Sequence, residues 1–545
     1  MRDSDRQTDP AASDVPGAQA LVRGLDVLLA IGAAPAPMRF SELRQAVDIP
    51  KGSLHRLLAA LQSRGLVRFE EHGKRYALGS RVFDLARRTL DQSTLIRATK
   101  PELSRLSRKL RQACCLYVKE SDEVFVLDFE DPDASQSRVV RVWPRLRADS
   151  SAPGIALAAG LPPEEDQSAQ NAGAISQARA LGYAMKPGGG PCVAAAVLDS
   201  GGYPVGALCC HGDDSDESAE ALHEAGRLVR EAAARASVNV TVSAQQIHVG
   251  APPDRVDPAV TVLDTGRDFM GENPAWCHRT GQLWWLDILA PALRARDLST
   301  GASRHILLDD LTGGLALTES GKLLLAGRQG IHLFDPEAQG ATLLFDPEKH
   351  KPENRFNSAS VDRAGNLWVG TMRVDGSAGG GTLYRIGKDL SVVAALPEVA
   401  LPKNVGWSLD GAEMYLSQGG SARLDAYPVG PDGLPGAPRT ILQGNDEIGL
   451  PNGIAVDAEG CLWVAMLGAW SVNRYAPDGT LLRRIALPLP MPTALAFGGR
   501  DLDRLFVTST YIRMPGGYSS LAPQAGNLIE IEAGVQGLPN PRFGI

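Results

Sequence analysis

The spacing of apolar residues in the first ninety positions predicts helices followed by a hairpin. Leu21, Leu25, Leu28 and Leu29 fall on one face of a first helix. A second helix is expected to begin with Ser41 as its cap and to run to residue 47.

A third helix is predicted with Pro50 in its first turn and Gly65 just after its end. Its core face consists of four leucines, namely Leu54, Leu57, Leu58 and Leu61. Two short strands follow around the turn His72-Gly73. The order helix, helix, turn, helix, hairpin predicts a winged helix-turn-helix.

Residues 91–245 alternate between helical and strand patterns, which predicts an α/β domain. A helix is expected over residues 101–113, and short apolar strands follow it. A long amphipathic helix carrying Leu222, Leu228 and Val229 closes the segment.

From residue 257 onward one short pattern recurs, a turn residue followed by an apolar, β-rich run. Its copies begin at Gly281, Gly321, Gly365, Gly411, Gly460 and Asp501. The spacing of roughly 40 to 49 residues is typical of one four-stranded propeller blade. Six copies therefore predict an all-β, six-bladed propeller.

These patterns divide the chain into a domain at 18–90, a domain at 91–245, a linker at 246–256 and a propeller at 257–545. Residues 1–17 are polar and lack the apolar run of a secretory signal, so we expect a disordered tail and a cytoplasmic protein. No apolar stretch reaches the eighteen residues of a membrane span. Among seven cysteines, the adjacent pairs Cys114–Cys115 and Cys209–Cys210 fit neither a zinc ribbon nor a disulfide framework, which favours reduced, buried thiols.

Charge is unevenly distributed along the chain. Residues 18–90 hold twelve Lys or Arg against six Asp or Glu, a balance of +6, whereas the whole chain carries −8 and the remainder therefore −14. A basic module on an acidic protein favours contact with DNA. Because the third helix of such a motif enters the major groove, its outward side chains are the candidate DNA contacts. They are Lys51, Ser53, His55 and Arg56, joined at the wing tip by Lys74 and Arg75.

The first domain resembles the IclR family of transcription regulators nearly position by position. The matching runs are residues 40–43, 49–58 and 61–67, together with Tyr76-Ala77-Leu78-Gly79 at the end of the wing. Residues 180–183 and 191–195 are similar to the α/β, GAF-like effector domain of that family. The resemblance implies operator DNA as a partner, a small-molecule effector, and assembly as a homodimer or tetramer.

The propeller resembles the SMP-30/gluconolactonase/luciferin-regenerating-enzyme family. The likeness rests on Gly271-Glu272-Asn273-Pro274, Arg355-Phe356-Asn357-Ser358 and Pro451-Asn452-Gly453-Ile454, among other segments. It implies a divalent cation held by Glu272, Asn404 and Asn452, and a substrate bound by Arg355 and Asn357. Oxygen ligands favour calcium first, with magnesium, manganese or zinc as alternatives.

Several polar positions of that family differ here. Asn452 stands where the family has an aspartate that acts as metal ligand and base, and an amide cannot accept a proton at neutral pH. Lys403 precedes Asn404 and brings a cation beside the expected metal. Ser358 and Gln418 stand where the family has aspartates.

Three interpretations of the propeller stay open. It is a sensor that binds a sugar acid, lactone or related metabolite, a metal-dependent lactonase, or a structural and oligomerising module. Taken with the first domain, the sequence predicts a DNA-binding transcription regulator of the IclR type, controlled by a small metabolite. The alternative is a lactonase with an attached regulatory DNA-binding module.

Overall fold

The computed structural model describes residues 18–132, 145–163, 171–186, 192–212, 218–263, 265–515 and 518–545. The expected disordered tail, residues 1–17, lies outside the described residues. The chain divides into two compact units between Ser93 and Thr94. In the part that is described, no helix is long and apolar enough to cross a membrane.

The first unit is a winged helix-turn-helix. Its helices are α1 (Gln19–Ala33), α2 (Phe40–Ala46), α3 (Lys51–Ser63) and α4 (Ser80–Gln92), and its strands are β1 (Met38–Arg39), β2 (Val67–Glu70) and β3 (Arg75–Leu78). The strands form one sheet in the order β1-β3-β2, and β2 with β3 forms the wing. Leu54 and Leu58 are buried and Leu57 and Leu61 pack against them, which confirms the predicted core face of α3.

One expectation for this unit was wrong. Ser41 does not cap α2, because β1 ends directly at the helix and the backbone N–H of Arg39 donates to the Glu42 carboxylate at 2.7 Å. The first helix forms as expected, but three of its leucines lie on the surface: Leu21, Leu25 and Leu29 are 66%, 48% and 69% exposed, whereas Val27 and Ile31 are buried. These three leucines form an exposed apolar stripe.

The second unit begins with an α/β domain. Its helices are α5 (Thr94–Leu110), α6 (Ala152–Gly160), α7 (Ala172–Leu181) and α8 (Ala219–Ala244). Its strands are β4 (Ala113–Glu120), β5 (Glu123–Glu130), β6 (Arg145–Arg147), β7 (Ala184–Lys186), β8 (Cys192–Leu198) and β9 (Pro204–His211). They form an antiparallel sheet in the order β6-β5-β4-β9-β8-β7. α5 and α8 pack on one face of this sheet, and α6 and α7 on the other.

The helix expected over residues 101–113 begins seven residues earlier and ends at Leu110. Pro101 suggested a helix start but lies inside α5. The helix extends backwards because Ala98 is buried and Leu95 and Ile96 pack against the core between α5 and α8.

The rest of the second unit is a propeller of six four-stranded antiparallel sheets. The first three blades are β11 (Gly271–Cys277), β12 (Gln282–Asp287), β13 (Ala292–Asp297), β14 (Ser303–Leu307); β15 (Thr312–Leu317), β16 (Leu323–Gly327), β17 (Gly330–Asp335), β18 (Gly340–Phe345); and β19 (Asn354–Val361), β20 (Leu367–Arg373), β21 (Gly381–Ile386), β22 (Val392–Val399). The next two are β23 (Pro402–Trp407), β24 (Glu413–Gln418), β25 (Arg423–Pro428), β26 (Arg439–Gln443); and β27 (Leu450–Val456), β28 (Leu462–Leu467), β29 (Ser471–Tyr475), β30 (Leu481–Ala486). The sixth is β31 (Pro492–Gly498), β32 (Arg504–Ser509) and β33 (Leu528–Glu532), completed by β10 (Val260–Leu263).

The six repeats found in the sequence are the turns that lead into the second strand of every blade, from β12 to β32. The innermost strands neighbour one another around the ring, and β11 meets β31 to close it. β10 precedes the other propeller strands in the chain yet pairs with β33 as the outermost strand of the last blade. The strand that closes the ring is therefore taken from the opposite end of the domain.

The α/β domain packs on one edge of the propeller, the edge at which the innermost strands begin; we call it the mouth edge. Asn239 on α8 donates to the carbonyl of Leu289, in the loop after β12, and to that of Ala98 on α5, both at 3.1 Å. Gln245 lies just after α8, and its side-chain amide donates to the carbonyl of Asp375. The backbone carbonyl of Gln245 accepts a hydrogen bond from the Arg513 side chain. The three propeller residues lie in loops that join mouth-edge strand ends.

The segment expected to be a linker continues this packing. Ile247 and Val249 are buried against the last two blades, together with Trp470. The indole N–H of Trp470 donates to the Gly250 carbonyl at 2.9 Å. The connection between the α/β domain and the propeller is thus built into the propeller surface.

Candidate functional site

The polar residues of the propeller channel lie where the innermost strands begin. Each of these six strands has a register shift there, between Glu272 and Ala275 in the first blade and between Pro451 and Ile454 in the fifth, for example. A bulge breaks the alternation of side chains and redirects one residue. The mouth edge therefore presents several polar side chains to the channel from otherwise apolar strands.

Lys403 and Glu272 form an ion pair at the centre of this group. The Lys403 ammonium lies 3.0 Å from Oε1 of Glu272, and both side chains are largely buried. The amide nitrogen of Asn452 lies 3.4 Å from the same oxygen and 2.5 Å from the carbonyl of Thr493. Because Asn452 points its N–H donors at Glu272 and Thr493, it acts here as a donor.

Asn404 is held by the backbone of the neighbouring blade. Its amide nitrogen donates to the carbonyl of Ile454 at 2.6 Å, and its oxygen accepts from the N–H of Ile454 at 3.1 Å. This two-point contact fixes the orientation of the amide and directs the oxygen that was expected to bind a metal towards the backbone of β27.

Arg355 is the second cation of the mouth. One guanidinium nitrogen donates to Oδ1 of Asn357 at 3.1 Å and to the Phe356 carbonyl at 2.9 Å, while its Nε is buried with no hydrogen-bond partner. Burial lowers the pKa of Arg355 to about 10, although the Glu272 carboxylate opposes this effect. The side chain stays charged at neutral pH. A Cβ at Gly313 would lie 2.8 Å from the guanidinium, so this close approach requires glycine.

Two further departures from the family pattern have structural partners. The hydroxyl of Ser358 donates to the Lys403 carbonyl at 3.0 Å and so helps to place that lysine. Gln418 donates to the buried carboxylate of Asp425 and to the Tyr427 hydroxyl, inside the fourth blade. Gln418 is thus engaged within its blade.

The mouth as it stands does not fit a divalent cation. Glu272 is its one carboxylate among the residues expected to bind metal, and the Lys403 ammonium pairs with that carboxylate. The oxygen of Asn404 accepts a backbone hydrogen bond, and Asn452 directs N–H groups towards Glu272. A hard divalent cation prefers several anionic oxygens, whereas this arrangement already neutralises the single one.

Further along the channel lies a cavity of about 480 Å³, and its lining residues do not include Glu272, Arg355, Lys403 or Asn452. Its walls come from further along the same innermost strands and include Leu317, Val361, Trp407 and Phe497. Asn404 lines its end nearest the mouth. A polar mouth above an apolar cavity is typical of a site for a small organic ligand.

The candidate DNA-contacting residues lie on the surface of the first unit. Lys51, His55 and Arg56 are exposed on α3, and Ser53 is half-buried. His55 also stacks on the ring of Phe40 in α2, with centroids 4.2 Å apart. Lys74 is exposed at the wing tip with a positive φ of 50°, next to the half-buried Arg75.

Comparison with known proteins gives two family matches. The IclR helix-turn-helix domain matches residues 20–71, and the SMP-30/Gluconolactonase/LRE-like region matches residues 270–511. The chain is 32% identical over 275 residues to the 6-deoxy-6-sulfogluconolactonase of Pseudomonas putida, which covers 50% of this chain and 94% of that protein. It is 30% identical over 282 residues to regucalcin of Xenopus laevis, with the same shares.

Among solved structures, a calcium-binding regucalcin from Agrobacterium tumefaciens matches with a TM-score of 0.50 and 29% identity. The match covers 55% of this chain and 100% of that one. The fold and the channel mouth thus define a β-propeller protein joined to a DNA-binding motif. The chain belongs to the SMP-30/gluconolactonase/LRE-like family, and its first unit contains an IclR helix-turn-helix domain, which implies DNA binding.

The direction of the Lys403 side chain and the support from Thr493 were not predicted from the sequence. The register shift next to Lys403 decides which way it points, and no local pattern announces such a shift. Thr493 lies at the start of the sixth inner strand, so its position relative to Asn452 was available only once the blades had been aligned.

Proposed function

We propose that the protein is a transcription regulator of the IclR type whose propeller binds a small metabolite without a resident metal ion. The ion pair between Lys403 and Glu272 carries this proposal. The ammonium takes the charge-balancing role of a cation, and Asn452 stands in for a base with a group that cannot accept a proton. The mouth therefore retains the means to bind a ligand but lacks the pieces for hydrolysis.

The charges at the mouth favour an anionic ligand. Lys403 and Arg355 supply two cations and Glu272 one carboxylate, which leaves one positive charge uncompensated among these groups. The buried Nε of Arg355 has no hydrogen-bond partner in the protein, and we propose that an oxygen of the ligand supplies one. Since the family relatives include a sulfogluconolactonase, the ligand class that fits best is a sugar acid, bound in preference to its neutral lactone.

The packing of the α/β domain on the mouth edge supports coupling between ligand and DNA. Asp287 accepts hydrogen bonds from the backbone N–H groups of Phe269 and Met270, just before Glu272, at 2.8 and 2.9 Å. It also accepts from Ala290, next to the Leu289 carbonyl that Asn239 holds. These contacts connect the strand that carries Glu272 to α8 through Asp287, and we propose that they relay a change at Glu272.

We further propose residues 18–90 as the DNA-binding domain, 91–245 as a GAF-like effector domain that relays this change, and 257–545 as the sensor. The exposed stripe of Leu21, Leu25 and Leu29 supports assembly as a homodimer, because water-exposed leucines at helical spacing gain by packing against a second copy. Operator half-sites then require a fixed spacing between paired DNA-binding domains, and a ligand that alters this spacing alters affinity.

The test combines operator retardation with ligand titration on the full-length protein. We expect Lys51→Ala with Arg56→Ala to abolish retardation, whereas Lys322→Ala, in the propeller, leaves it unchanged. A panel of aldonates and their lactones, titrated calorimetrically, should show binding of aldonates that Arg355→Met removes. Operator affinity that stays constant at saturating aldonate contradicts the coupling, and retained retardation in the double variant contradicts the DNA interface.

Lactone hydrolysis is the second candidate function. Membership of the family and the presence of Glu272, Arg355 and Asn357 favour it. The assay is acid release from a panel of sugar lactones with calcium, manganese or zinc added, with Glu272→Ala as the control. Acid release by the natural protein that disappears in Glu272→Ala establishes an enzyme. Acid release that stays at the uncatalysed rate with both proteins supports the sensor.

A further inference from the structure

Two cysteines and a histidine converge inside the α/β domain. Cys192 lies on β8, and Cys209 and His211 lie two residues apart on β9, so that they share one face of the sheet. Cys192 is directly opposite His211 in the antiparallel register. Within the described residues, these three form the one group of metal-binding side chains whose ligand atoms all lie within 4.8 Å of one another.

The distance between Cys209 and His211 matches that of two ligands in a tetrahedral metal site, and the Cys192 ligand atom lies within 4.8 Å of both. Sγ of Cys209 lies 3.6 Å from Nε2 of His211. With zinc–sulfur and zinc–nitrogen bonds of about 2.3 and 2.05 Å, a tetrahedral angle places sulfur and nitrogen about 3.6 Å apart. The two atoms thus already have the spacing they would have on a shared ion.

We propose that Cys192, Cys209 and His211 bind a thiolate-preferring metal ion, with zinc as the expected metal. Binding releases the two thiol protons, and the two thiolates balance the charge of the divalent ion inside the sheet core. Three protein ligands leave a fourth position open. The Tyr117 hydroxyl lies 3.0 Å from Nε2 of His211, and this hydrogen bond is replaced when Nε2 binds the ion. The site is separate from the propeller mouth and does not depend on the function proposed for it.

The neighbouring cysteines provide matched controls. Cys210 follows Cys209 on the same strand but faces the opposite side of the sheet, where its sulfur contacts the Gln112 side chain. Cys115 pairs with Cys209 across the strands and lies outside the group of three. A general effect of thiols in the sheet core would therefore appear in Cys210→Ser and Cys115→Ser as well.

The experiment is metal binding by the purified, reduced full-length protein. Cobalt is titrated into metal-free protein and followed by the visible bands of tetrahedral cobalt and by its thiolate charge-transfer band, and zinc is then added as competitor. We expect one ion per chain, displaced by zinc, with both bands abolished in Cys192→Ser and Cys209→Ser and retained in Cys210→Ser and Cys115→Ser. His211→Gln should keep the charge-transfer band and weaken cobalt binding at least tenfold.

Three results would overturn the proposal. They are the absence of stoichiometric cobalt or zinc binding, bands that persist in Cys192→Ser, and a disulfide between Cys192 and Cys209 in protein purified without oxidant. Circular dichroism of each variant shows whether the fold is retained. If a serine variant unfolds, His211→Gln and the two control variants decide the matter.

Discussion

Exchanging two residues at the propeller mouth should create a calcium site. The perturbation is Lys403→Ser combined with Asn452→Asp, which removes the ammonium that lies 3.0 Å from Glu272 and adds a carboxylate beside it. We expect calcium binding to be undetectable in the natural protein and measurable in the double variant.

The magnitude follows from Coulomb's law. A calcium ion bound to Glu272 would lie about 4 Å from the Lys403 ammonium, where a divalent and a single charge repel by about 8 kcal/mol at an effective dielectric constant of 20. The lysine can swing away and so relieve part of this cost. Taking half of it, about 4 kcal/mol, gives a gain in affinity of about a thousandfold from the lysine exchange alone.

The assay is calorimetric titration of calcium into full-length protein at low ionic strength. Lys322→Ser is the matched control, because Lys322 also pairs with a carboxylate, Asp335 at 3.5 Å, but lies in the turn at the other edge of its blade. Calcium binding of equal strength in the natural protein and the double variant refutes the reasoning, since it shows that the ammonium does not block the site.

Three other predictions follow from the same structure. Between pH 7 and pH 5, the unfolding free energy of the metal-free natural protein should fall by about 2 kcal/mol more than that of metal-free His211→Gln, because burial lowers the pKa of His211 to about 4 and the unfolded chain takes up a proton that the folded histidine does not; equal shifts of the denaturant midpoint contradict this. Asn239→Ala should lower unfolding free energy by about 1–3 kcal/mol, because two buried carbonyls lose their donor, and an unchanged midpoint argues against that contact. Leu25→Lys should give a monomer in light scattering without loss of thermal stability, and a persisting dimer places the interface elsewhere.

Much of the fold was predictable because it rests on local periodicity. The recurring turn and apolar run identified six blades, and the leucines of α3 marked a face that is indeed buried. The same period identified the helix α1 but not that Leu21, Leu25 and Leu29 lie on its exposed side, since an apolar period does not show what a face packs against. Pro101 misplaced the start of α5 for a similar reason: the burial of Ala98 against distant residues outweighed a local signal.

The candidate site was predictable as a set of positions but not as an arrangement. Resemblance to a family located Glu272, Arg355 and Asn452, because their motifs survive in the sequence. The contact between Lys403 and Glu272 joins residues 131 positions apart and depends on register shifts in two strands. The packing of α8 on the mouth edge likewise depends on contacts between distant segments, which no single window of sequence reports.

The pairing of β10 with β33 has a consequence for synthesis. The strand that completes the last blade, β10, is synthesised before all other strands of the propeller. Its partner, Leu528–Glu532, comes almost at the end of the chain. During synthesis, the DNA-binding unit therefore emerges from the ribosome long before the ring can close. A message truncated upstream of Leu528 would yield a chain that contains the whole DNA-binding motif but an open ring. Under the proposed function, such a product would compete for operators without responding to the metabolite.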